Sequence, residues 1–158
     1  MLNKEIRITT FVILFFSLGW MNSDAHACEP CAQYLSFEET VSAADLIIIG
    51  QKAGEGPLSD AVPGGPEWIA VKVIKVLKGE PSAAVIKVNS WDAMCGYGIV
   101  VADNPYVMLL QKRNVAHEDY EYDAVRYGCG VKTYRVDGDR IYFEDQKIGF
   151  DEFVDKLK

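Results

Sequence analysis

The chain has 158 residues, with 23 acidic against 16 basic side chains and a formal net charge of −7. That length suits one ordinary domain built on a single core. The acidic balance repels polyphosphate, which argues against nucleic-acid binding and against docking on an anionic membrane surface.

The first segment reads as an export signal. Lys4 and Arg7 form a positive start, diluted by Glu5, and Thr10 to Leu18 is an uncharged run rich in Phe, Val, Ile and Leu. Ala25-His26-Ala27 then supplies an A-x-A cleavage pattern. The apolar run is short for a bilayer span, which takes about 20 residues. An uncleaved anchor and a lipidated Cys28 are the alternatives, but lipoprotein signals usually carry an aliphatic residue where Ala25 stands. The expected organisation is a signal peptide over 1–27 and a mature chain that starts at Cys28 and reaches the periplasm, the cell envelope or the medium. The charges of the leader cancel, so the mature chain keeps the net −7.

Cys28, Cys31, Cys95 and Cys129 all fall in the mature part. An even count in an oxidising compartment makes two disulfides the default, and the sequence leaves all three pairings open. Cys28-Glu29-Pro30-Cys31 also has the C-x-x-C spacing of a redox dithiol or half a zinc site. The redox motif belongs between a strand and a helix, and a four-cysteine zinc site pairs two close couples, whereas Cys95 and Cys129 stand apart. Structural disulfides are the simpler reading.

Tyr34 to Ala44 is expected to be a short helix. Ser36 and Glu39 form a capping box, and Leu35 before the cap with Val41 after it makes a hydrophobic staple. Leu46-Ile47-Ile48-Ile49-Gly50 is a β-branched run suited to a strand buried on both faces. Gly54 to Pro66 reads as a long loop. Trp68 to Leu77 is the next strand, with Ile69, Val71, Val73 and Leu77 on one face and Trp68 and Lys72 on the other. Lys78-Gly79-Glu80-Pro81 is a turn, Val85 to Val88 a strand, and Tyr106 to Leu110 another. Val131–Val136 and Arg140–Phe143 flank Asp137-Gly138-Asp139, a hairpin signal. Phe150 to Leu157 reads as a closing helix that buries Phe150, Phe153, Val154 and Leu157. The pattern indicates a β-barrel or sandwich with helical additions.

No enzyme site emerges. His117 is the one histidine of the mature chain and sits in a polar stretch, as a solvated loop residue would. No G-x-S-x-G or H-E-x-x-H pattern accompanies it. Asp119-Tyr120-Glu121-Tyr122-Asp123 reads as a solvated acidic loop in preference to a cation site. The scattered Tyr and Trp residues fit a core better than a binding face.

The order of these features resembles the tissue inhibitors of metalloproteinases (TIMPs) and the wider netrin modules, including bacterial TIMP-like proteins. The matching pieces are the cysteine pair at the mature start, Phe37 before Ala44-Asp45-Leu46-Ile47-Ile48-Ile49-Gly50, Val71 to Gly79, Cys95-Gly96, Tyr106 to Leu109, and Gly128-Cys129-Gly130. The resemblance covers residues 28 to about 130 and leaves 131–158 as a hairpin-and-helix extension packed on the same domain. It implies a mainly β fold: an OB-fold-like five-stranded barrel with flanking helices. It also implies Cys28–Cys95 and Cys31–Cys129 bridges that clamp the N-terminal segment to the barrel. In the inhibitors the first cysteine chelates the zinc of a target metalloprotease through its α-amine and carbonyl, and the next residue enters the specificity pocket. Here those residues would be Cys28 and Glu29, within a ridge formed by Cys28, Glu29, Pro30 and Cys31. The inhibitors place one residue between the paired cysteines, where this chain has two. The resemblance implies no cofactor of the chain's own, a zinc metalloprotease as partner, and a monomer.

Overall fold

The computed structural model describes residues 35–58, 65–90, 99, 102–113, 119–127, 130–131 and 133–158. Its elements are α1 (Phe37–Ala43), β1 (Leu46–Glu55), β2 (Trp68–Lys78), β3 (Val85–Asn89), β4 (Pro105–Lys112) and β5 (Tyr122–Ala124). After them come β6 (Arg126–Tyr127), β7 (Gly130–Val131), β8 (Thr133–Asp137), β9 (Arg140–Phe143), β10 (Gln146–Gly149) and α2 (Phe150–Lys156). The first five strands close into a barrel in the order β1-β2-β3-β5-β4, with β4 returning to β1. The β3–β5 contact is parallel and the others are antiparallel. The expected OB-type barrel with two flanking helices is what forms.

The run from Leu46 to Ile49 explains the closure. A strand alternates its side chains between two faces, and both faces of β1 are covered. Leu46 and Ile48 join Ile69, Val71, Ile86, Val88, Ile99, Met108, Leu110, Tyr122 and Ala124 inside the barrel. Ile47 and Ile49 point the other way, into a second cluster outside it. β4 repeats the pattern, with Met108 and Leu110 inside and Val107 and Leu109 outside. The expectation of a single core is therefore corrected: this domain has two, back to back across β1 and β4.

The outer core is covered by α1, by the β8–β9–β10 meander that pairs with β4, and by α2. Its centre is a set of four rings, Phe37, Tyr134, Phe143 and Phe153, with centroids 4.9–6.0 Å apart and mostly edge-on. Such pairs contribute about 0.5–1.5 kcal/mol each beyond their buried area. Residues 133–158 thus complete a core begun by the barrel.

Local chemistry sets the ends of the elements. Ser36 Oγ accepts from the Glu39 N–H at 3.2 Å, and the Ser36 N–H donates to Glu39 Oε2 at 2.7 Å, the expected capping box. The helix it starts is shorter than foreseen, Phe37 to Ala43. At the far end of α1, Lys78 Nζ donates to the Val41 and Ser42 carbonyls at 2.8 and 3.3 Å, placing a cation where the helix leaves acceptors unpaired. Gly79 follows with φ of 77°, and a side chain there would overlap the Asp45 carbonyl.

Several strand expectations change. Leu77 does not share a face with Val71. The β1–β2 ladder pairs Gly50 with Val73 but Ile49 with Lys75, leaving Ile74 as an extra residue. That bulge shifts the faces, and Leu77 packs against the outer core. The loop after β1 begins later than Gly54, because β1 runs to Glu55 and Leu58 bridges to Pro66. The stretch Val131–Val136 is divided between β7 and β8.

Besides the two-residue β6, two strands went unforeseen. One is β5, inside the stretch read as a solvated acidic loop: Tyr120, Tyr122 and Ala124 are buried, while Glu121 is exposed. The other is β10, joined to β9 through Glu144 and Asp145, both at positive φ (45° and 64°) as a type I′ turn requires. The expected turn at Gly138 does form, with φ of 64°.

Candidate functional site

The expected ridge residues Cys28, Glu29, Pro30 and Cys31 lie outside the described residues, as do Cys95, Cys129, His117 and the expected leader, residues 1–27. The structure does describe the chain on either side of the two distant cysteines, and it describes the residue from which the N-terminal segment departs.

Cys95 belongs to the stretch between Ser90 and Ile99. Those two residues are tied at a neck. The Ile99 N–H donates to the Asn89 carbonyl at 2.9 Å, and Ser90 Oγ donates to the Ile99 carbonyl at 2.9 Å. The Ser90 N–H reaches the Glu67 carbonyl at 3.0 Å, fixing the neck to the start of β2. Ser90 and Asn89 are buried, and Ile99 is part of the inner core.

A polar lock holds the same place. Asn89 Nδ2 donates to Asp123 Oδ1 at 2.7 Å. Arg113 Nη1 donates to the same carboxylate at 3.1 and 3.2 Å and to the Tyr120 hydroxyl at 2.7 Å. The Arg113 guanidinium also lies 5.0 Å from the centre of the Tyr120 ring. These groups tie the ends of β3 and β4 to β5. The pair is half-buried, where charge-assisted hydrogen bonds outweigh those on an open surface. Asn89 Oδ1 is buried and has no hydrogen-bond partner among the described residues. Sequence reading passed over Asn89 and Arg113, because their pairing crosses strands and leaves no local spacing to find. The signal for Asp123 was present in the alternation of Tyr120, Tyr122 and Ala124 with acids.

Cys129 has its flanks in a different environment. On one side, the Val125 side chain is in the outer core. The pairs Arg126–Val131 and Tyr127–Gly130 follow on either side of the cysteine. β6 lies against α1, the helix that begins shortly after Cys31. Leu35, the first described residue, packs on the outer core. The flanks of Cys95 and of Cys129 are thus associated with different cores, and the N-terminal segment enters beside the outer one.

Among the described residues, no group of three or more His, Cys, Asp or Glu side chains is arranged to hold a metal ion. No described helix is long and apolar enough to cross a membrane. Two open depressions line the outer core. Ser36, Phe37, Glu38, Phe143, Glu144 and Lys156 form one, and Thr133, Tyr134, Tyr142, Glu144 and Asp145 form the other. Beside the first, backbone and Ser36 hydrogen bonds hold the exposed Glu38 carboxyl below its usual range. Both are shallow and open, and neither gathers a nucleophile with a base. No family model, no curated protein and no solved structure matches this chain.

Proposed function

We propose that the chain is an exported, disulfide-clamped TIMP-like module that binds the zinc of a metalloprotease through the α-amine and carbonyl of Cys28. The observation that carries this reading is the closed β1-β2-β3-β5-β4 barrel with its parallel β3–β5 contact. It is the architecture that the resemblance implies, and three of its five strands, β1, β2 and β4, hold pieces on which the resemblance rests. Two further features support it. Cys31 lies within about 20 Å of chain reach from Phe37, and α1 adjoins β6, which leads into the Cys129 stretch. The neck at Ser90 and Ile99 gives the Cys95 stretch a fixed base.

The chemistry of the reading is simple. Cleavage after Ala27 creates an amine on Cys28. A free α-amine has a reference pKa near 7.7–8.0 and must lose its proton to ligate a metal. Inhibition should therefore strengthen as pH rises through that range and weaken below it. The amine needs a rigid mount, since a terminal segment frays unless tied down. Bridges Cys28–Cys95 and Cys31–Cys129 would supply the mount.

A second reading rests on Glu29 and Pro30. The extra residue alters the ridge, and a carboxylate entering an apolar pocket costs some kcal/mol in desolvation. On that reading the same module binds a partner without inhibiting a protease. N-terminal sequencing and assays against a panel of zinc proteases separate the two. The inhibitor reading expects Cys28 first with a free amine, inhibition by the native protein, and loss of inhibition when the amine is acetylated. A free Cys28 with no inhibition across the panel selects the binding module. Cysteines that titrate as thiols after mild reduction would instead indicate a thiol–disulfide protein of the envelope.

A further inference from the structure

A different face of the molecule carries its own signal, independent of Cys28. β3 pairs with β2 over Trp68–Lys72, and the Val73 N–H makes one more bond, 2.9 Å to the Ala84 carbonyl. Beyond that point, among the described residues, Ile74–Lys78 is paired with β1 alone. This half of β2 is an open sheet edge. Open edges are templates for another strand, and proteins usually shorten, cover or charge them.

The side chains along this edge have an unusual balance. β2 contains Lys72, Lys75 and Lys78 and no acid, and Lys87 adjoins it on β3. None of the four forms an ion pair with a described carboxylate, although acids outnumber bases in the chain. Lys78 is occupied with α1. Lys75 lies 4.0 Å from the centre of the Phe150 ring and Lys87 4.3 Å from that of Trp68, contacts that leave the charges unneutralised. Interleaved with these lysines are exposed apolar residues. Ile74 is 50% exposed, Val76 40% and Val85 49%. Lysines alone would read as protection of the edge. Exposed β-branched residues beside them make a surface that is both sticky and positive.

We propose that the Ile74–Lys78 edge of β2 docks an extended acidic polypeptide segment of a partner protein by strand addition. Main-chain hydrogen bonds would supply affinity, Ile74 and Val76 apolar contact, and Lys72 and Lys75 the preference for acidic side chains. A second copy of this chain is a poor occupant, because pairing the same edge with itself sets lysines against lysines. A nucleic acid or an anionic bilayer has no peptide backbone with which to extend the β2 ladder.

The test uses the oxidised, exported chain and a labelled short peptide of alternating Glu and Val, with a Lys/Val peptide as its counterpart. Fluorescence anisotropy should show binding of the acidic peptide only. Binding should fall about tenfold or more in the Lys72→Glu/Lys75→Glu variant, where attraction becomes repulsion. Hydrogen exchange of the unmutated protein is the second readout, and it does not depend on any variant folding. The acidic peptide should slow amide exchange within Ile74–Lys78. The proposal is overturned by unchanged exchange there, by equal binding of the Lys/Val peptide, or by dimerisation through this edge. It is equally overturned if anionic vesicles or single-stranded oligonucleotide protect these amides and the peptide does not.

Discussion

The two cores share β1 and β4 but are built differently. The inner one is a closed cylinder of fixed volume, filled mostly by aliphatic side chains that arrive at every second residue of the barrel strands. The outer one is open at its rim and centred on rings set among aliphatic side chains, Phe37 from near the start of the described chain and Tyr134, Phe143 and Phe153 from near its end. The interior of a small barrel has a fixed width, and side chains of alternating size fill its taper. An outer layer between a sheet and helices has no such limit, and large rings cover more surface per residue. The difference teaches that the last 26 residues are no appendage. Without them α1 and Val125 would be left to cover Ile47, Ile49, Val107 and Leu109 on the strands that close the barrel.

That conclusion can be broken most forcefully by truncation. Removing residues 133–158 deletes Tyr134, Ile141, Phe143, Ile148 and Phe153, all buried. At about 1.5–3 kcal/mol for each fully buried large side chain, the loss is comparable to the whole stability of a domain. The truncated chain should show no cooperative thermal transition by circular dichroism. A truncated barrel that melts cooperatively would mean that the two cores are independent.

Smaller changes sharpen the contrast. Phe153→Ala removes the ring that contacts the other three and should cost about 3–5 kcal/mol in urea unfolding. Gly50→Ala probes the inner core from the opposite direction. Its new methyl would overlap Val71 Cγ1 inside the cylinder, and overpacking of this kind costs about 1–3 kcal/mol. A larger loss for Gly50→Ala than for Phe153→Ala would reverse the ranking of the two regions.

The smallest effect lies at the rim of the outer meander. Lys147 Nζ donates to Asp137 Oδ2 at 2.8 Å. This hydrogen bond holds the Asp137 carboxyl below its ordinary value of 3.8 and raises Lys147 above 10.5, two shifts that agree on one pair. A carboxyl lowered on folding adds stability above its unfolded pKa and loses it as pH falls through the folded one. The Lys147 contribution runs the other way: present below 10.5, it fades as pH rises through the raised folded value. Lys147→Met should therefore lower the melting temperature slightly at neutral pH. The difference from wild type should shrink below about pH 3.8, as thermal melts in a pH series would show. Full exposure and salt screening keep it small.

The inner core was the more legible in the sequence, because the apolar run Leu46–Ile49 and the alternation in Trp68–Val73 need no distant partner to be recognised. The outer core was less so. Its rings come from segments about a hundred residues apart, and nothing local announces that Phe37 meets Phe153. Local chemistry was readable where one residue suffices, as at the Ser36–Glu39 box and the Gly138 turn. It failed at Glu144-Asp145, where neither residue is a glycine or asparagine, and at Tyr122–Ala124, where three acids in five residues masked an alternation. The bulge at Ile74 carries no sequence mark either, so Leu77 was assigned to the wrong face. Of the candidate site, the cysteines were evident, and the Asn89–Asp123–Arg113 lock beside the Cys95 stretch was not.

The cysteine flanks divide between the same two regions, Ile99 in the inner core and Val125 in the outer. Disulfide mapping of the protein by mass spectrometry after non-reducing proteolysis therefore tests the proposed function most directly. Cys28 should be linked to Cys95 and Cys31 to Cys129, one bridge toward each core, holding the terminal amine in place. Cys28 linked to Cys31, with Cys95 linked to Cys129, would leave that terminus untethered and contradict it.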